Sequence, residues 1–109
     1  MSKPPSFYQS FATAHPEVIR AYEALGEASR AAGPLDAASA ELIKLAFAAG
    51  ARIESGVRAH TRRALDAGAT HEQLRHAAIL AITTIGFPAA MSVRGMIEDE
   101  ITKRGAGGA

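Results

Sequence analysis

The sequence predicts an all-α chain: a single-domain bundle of about six helices spanning residues 1–109, with a core over about 15–103 and flexible ends at 1–5 and 105–109. Three observations carry that expectation. Apolar residues recur at helical spacing in every long segment, and no stretch shows the alternation of β-branched and polar residues that marks a strand. Helix breakers punctuate the chain at His15-Pro16, Gly33-Pro34, Gly50, Gly68 and Gly86-Phe87-Pro88. Alanine, the best helix former, is abundant between those breaks.

Taken in order, Pro4 and Pro5 keep the first residues extended. Phe7, Phe11 and Ala14 then form a short amphipathic helix, which His15-Pro16 ends. Pro16 suits the first turn of the second helix. There Val18, Ile19, Tyr22, Leu25 and Ala28 make an apolar stripe, with Glu17, Arg20, Glu23, Glu27 and Arg30 outside it. Glycine past the end and proline beyond it, Gly33-Pro34, close that helix.

Asp36 is placed to cap the third helix, which runs to about Ala49 with Gly50 as its stop. It is apolar nearly all round, so it should be buried in the domain or in an oligomer. A fourth helix covers Arg52 to Ala67 and is closed by Gly68. Thr70 with Gln73 three residues on reads as a capping box for the fifth. The last runs from Pro88 to Arg104. Met91, Met96 and Phe87 belong to the core or to a subunit contact.

Composition excludes several classes of function. Net charge is +1 with no long single-sign block, which argues against nucleic acid or an anionic membrane as partner. No apolar run approaches the roughly 20 residues of a membrane span. The first residues lack the apolar core of a signal peptide, so the expected location is the cytoplasm. Cysteine is absent, which removes disulfides, thiolate metal sites and thiol redox chemistry. A chain this short buries only about 60–65% of its unfolded surface, so self-association is a natural supplement.

The candidate chemistry lies in Glu41 and His60, an acid in an apolar helix followed 19 positions later by an imidazole. A turn near Gly50 lets them face each other from antiparallel helices. Such a pair suits general acid–base work near neutral pH. Arg52 and Arg58 are candidates to grip a substrate carboxylate. The alternatives stay open: Glu41 and His60 also suit a structural pair that fixes helix register, Glu41 also stands at i, i+3 from Lys44, and Glu54 with Arg58 suits a surface ion pair. His15 reads as structural, His71 and His76 as solvated. The four histidines lack an H-x-x-x-H pair on one face, so no metal is expected.

Residues Ile53-Glu54-Ser55-Gly56 followed by His60, then Ala67-Gly68-Ala69-Thr70, with Glu41 ahead and Gly86-Phe87-Pro88 behind, resemble the carboxymuconolactone decarboxylase and alkylhydroperoxidase-D superfamily. The resemblance implies a helical bundle assembling as trimers or hexamers. Its peroxidase branch carries Cys-Glu-x-Cys where this chain has Ile53 and Gly56, and neither can attack or resolve a disulfide. Ser55 is no substitute, because it lies on a neighbouring face and its hydroxyl is a poor nucleophile without a base. The resemblance therefore implies the decarboxylase side: a cofactor-independent acid–base enzyme acting on a small carboxylate or lactone. There His60 would donate to the developing enolate oxygen while Glu41 shuttles the proton. The other expectation is a catalytically silent oligomeric binding or scaffold protein that keeps the fold.

Overall fold

The computed structural model describes residues 4–106, and all its regular structure is helical: α1 (Ser6–Ala14), α2 (Pro16–Ala31), α3 (Ala37–Gly50), α4 (Glu54–Asp66), α5 (His71–Ile85) and α6 (Phe87–Ala106). Much of the two expected flexible ends, residues 1–3 and 107–109, lies outside the described residues. Two compact units divide at Asp36 and Ala37.

The first unit is the helical pair α1 and α2. Pro16 occupies the first turn of α2, where its missing N–H is no loss. The His15 N–H closes α1 on the Phe11 carbonyl, and the two rings lie 5.0 Å apart. The Tyr8 hydroxyl donates to Glu23 across the pair. Neither helix contains a buried residue, and the apolar stripe of α2 stays exposed at Val18, Tyr22 and Leu25.

The second unit is built from two helical hairpins. Helix α3 packs chiefly on α4, α5 on α6, and α4 on α6. Leu45, Val57, Leu74, Ala78, Val93 and Ile97 fill the centre. Helix α4 serves this packing with three adjacent stripes, as its 3.6-residue period requires. Val57, Thr61 and Ala64 face the core, Gly56 and His60 face α3, and Arg58 and Arg62 reach α6.

The helix ends show where the expected boundaries shift. Helix α3 includes Gly50, and the residue that stops it is Arg52, in a left-handed conformation at φ 60°. The Ile53 N–H reaches the Ala48 carbonyl at 2.9 Å and the Arg52 N–H reaches Ala49 at 3.1 Å, the paired bonds of a Schellman end. Arg52 thus stands outside α4, which begins at Glu54. The end of α4 repeats the motif with a glycine: Ala69 N–H to Ala64, Gly68 N–H to Leu65, and Gly68 at φ +97°. Thr70 and Gln73 form the expected capping box of α5. Helix α6 starts one residue before Pro88 and passes through Gly105.

Helix α3 is covered on one face only. Glu41, Leu45, Ala48 and Ala49 are buried, whereas Ile43 and Phe47 are exposed, Phe47 by 72%. No helix among the described residues is long and apolar enough to cross a membrane.

Candidate functional site

Antiparallel α3 and α4 bring Glu41 and His60 together. His60 Nδ1 lies 2.8 Å from Glu41 Oε1, and Glu41 is only 5% exposed. With the carboxylate ionised, Nδ1–H donates to it. The partner Glu41 takes is therefore the imidazole rather than Lys44 at i+3. One ring nitrogen is engaged, which leaves Nε2 as the position available for proton exchange with another molecule. The His60 side chain retains 19% of its exposure, so the pair joins a buried acid to a ring at the edge of solvent.

The two arginines selected with that pair have different surroundings. Arg58 donates to three carboxylates of the protein: Glu54 at 3.0 Å, Glu100 at 3.1 Å and Asp99 at 3.2 Å. The Glu54 contact is the surface pair expected from their spacing. The guanidinium is thereby engaged by carboxylates of the protein itself. Arg52 is exposed in the turn between α3 and α4, in the left-handed conformation described above.

A second carboxylate, one that pattern reading passes over, is more deeply held. Glu100 on α6 is 4% exposed and accepts from Arg62 at 3.0 Å and from Arg58. Burial by itself pushes this carboxyl up, but the hydrogen bonds from Arg62 and Arg58 outweigh it, and the group ends below the usual carboxylate value. Burial likewise opposes the charge on Arg58, and its three carboxylate partners prevail and raise it. The signal was present in the sequence: Ala90, Val93 and Ile97 mark the buried stripe of α6, and Glu100 continues it at i+3. Among the described residues, no buried polar side-chain atom lacks a hydrogen-bond partner.

A groove of about 520 Å³ runs between α3 and α5, walled by Leu42, Ala46, Ala77, Leu80 and Ile85, with Gln73, His76 and Thr84 as its polar groups. Neither Glu41 nor His60 belongs to its lining. The exposed His76, expected to be solvated, edges this groove. Among the described residues no group of three or more His, Asp or Glu side chains is placed to hold a metal ion.

The sequence matches the model of the carboxymuconolactone decarboxylase family over residues 16–99. The chain belongs to that family. No curated protein and no solved structure matches it.

Proposed function

We propose, from membership of the carboxymuconolactone decarboxylase family, that this chain is a cofactor-independent acid–base enzyme that acts on a small carboxylate or lactone and has no thiol peroxidase activity. The observation that carries the proposal is the 2.8 Å contact between a buried glutamate and an imidazole that keeps its other nitrogen for a substrate. In the decarboxylation of a lactone acid, the bond between the carboxylate and the ring carbon breaks and carbon dioxide leaves. The electron pair passes into a conjugated enolate. His60, protonated, donates from Nε2 to the enolate oxygen. The Nε2 proton then passes from the enolate oxygen's hydrogen bond to carbon, leaving a neutral imidazole, and Glu41 shuttles a solvent proton back to the ring through Nδ1 to restore the imidazolium. Arg52, at the turn joining the two helices, is the proposed grip for a substrate carboxylate; Arg58, held by three acids, is given a structural role instead. Self-association as a trimer or hexamer and a cytoplasmic location complete the proposal.

A second reading has an observation of its own. The groove between α3 and α5 lies apart from the pair, because its lining includes neither Glu41 nor His60. A catalytically silent binding or scaffold protein would keep the pair only as a fastening between helices. Release of carbon dioxide from carboxymuconolactone and a panel of small lactone acids separates the two. In the enzyme, Glu41→Gln and His60→Gln each lower turnover by roughly a hundredfold or more, while Glu41→Gln melts close to wild type. Absence of turnover in the wild type, with both variants destabilised by about 1–3 kcal/mol, decides for the scaffold.

A further inference from the structure

We infer that Gly56 is the positioning residue of the Glu41–His60 pair: its missing side chain lets α4 lie close enough to α3 for the imidazole to reach the carboxylate. The functional arm of this inference rests on the acid–base reading; the geometric arm does not.

Gly56 lies one helical turn before His60, on the stripe of α4 that faces α3. A Cβ at this position would stand 2.9 Å from the Ala48 Cβ, nearer than real carbon atoms approach, while its contacts with Ile53 at 3.5 and 3.8 Å would be ordinary. Ala48 cannot yield by turning a side chain, because its Cβ is fixed to the backbone of α3. Relief requires the two helix backbones to part by roughly 0.5–1 Å, the difference between 2.9 Å and a normal carbon contact. The hydrogen bond one turn further on has little slack, since 2.8 Å is near its optimum and the interaction weakens beyond about 3.2 Å. The Ile53 N–H to Ala48 bond ties the α3 end to the start of α4, so the hairpin cannot absorb the parting at its turn. The separation therefore passes along α4 to His60. Ala48 and Gly56 form one contact with one methyl between them, and the methyl can sit on either side.

Crystal structures of wild type, Gly56→Ala and the exchange variant Gly56→Ala/Ala48→Gly test this, with the Nδ1–Oε1 distance as the readout. The expected result is a distance beyond about 3.5 Å in Gly56→Ala and a return to about 3 Å in the exchange variant, which moves the methyl to the other helix. Turnover of the lactone acids falls about tenfold to a hundredfold in the single variant and recovers in the exchange variant. A glycine needed only for packing would change the melting temperature and leave the distance alone. A folded Gly56→Ala that keeps the 2.8 Å contact overturns the inference. If Gly56→Ala does not fold, the exchange variant decides: an intact pair supports the inference and a broken pair overturns it. If the distances follow the expected pattern while the wild type turns over no lactone acid, or while turnover survives the broken contact, the acid–base proposal falls and the geometric inference stands.

Discussion

At Glu100 a carboxylate sits almost wholly inside the protein and is still held in its charged form, because two arginines of α4 meet it there. Its folded acidity lies below the ordinary value of 4.5, so its contribution to stability is fully present above that pH and is lost as pH falls through the lower, folded value. Glu98, held down first by the two hydrogen bonds from Arg75, follows the same sign. Thermal melts from pH 7 downward should therefore decline below about pH 4.5, and Glu100→Gln should flatten that decline. At neutral pH the same variant should lose about 1–3 kcal/mol, measured by denaturant unfolding, because Arg58 and Arg62 lose their charged partner. Arg52 carries the opposite expectation. A left-handed conformation costs a side-chain-bearing residue about 1–2 kcal/mol, and glycine gives back part of this in chain entropy. Arg52→Gly should thus raise stability by about 0.5–1 kcal/mol. If Arg52 grips the substrate carboxylate, the same change raises KM while leaving kcat nearly untouched.

Helix ends separate what was legible in the sequence from what was not. The Thr70–Gln73 capping box was legible because both partners lie three residues apart in the chain. Thr70→Ala should cost about 1 kcal/mol in a melt or denaturant titration. Gly68 was legible as a stop because glycine is the usual residue at φ +97°; Gly68→Ala should cost about 1–2 kcal/mol. Arg52 was not legible, since pattern reading assigns the left-handed turn to the nearest glycine, and here Gly50 lies inside the helix. The Glu41–His60 contact was readable as a pair of facing helices, because a short turn near Gly50 folds the two successive helices antiparallel. For Glu100 only the burial was readable, from its place on the α6 stripe; its partners were not, because they lie 38 and 42 positions away on another helix and no local spacing announces them. The same distance hid the competition for Arg58, whose i, i+4 partner Glu54 was visible and whose partners on α6 were not.

For the molecule as a whole, the unburied apolar residues set the expectation. Within the second unit, Ile43, Phe47, Ile53, Ile79, Leu80 and Phe87 are all exposed. Ile43 and Leu80 also line the groove between α3 and α5. On a small chain such surfaces favour association. Light scattering at micromolar concentration should report a trimer or hexamer, and Phe47→Glu should shift it toward smaller species. A monomeric wild type would sink the expectation.

The Glu41–His60 contact also bears on the order in which the chain acquires structure. Both partners belong to one hairpin of consecutive helices, closed by a turn of three residues, Ala51 to Ile53. Contacts this local require little loop-closure entropy and form early in the search for the native state. As synthesis proceeds from the N-terminus, every residue of that hairpin has been added before α5 begins. Every residue that brings the acid and the imidazole together thus precedes, in the order of synthesis, the helix that carries Glu100.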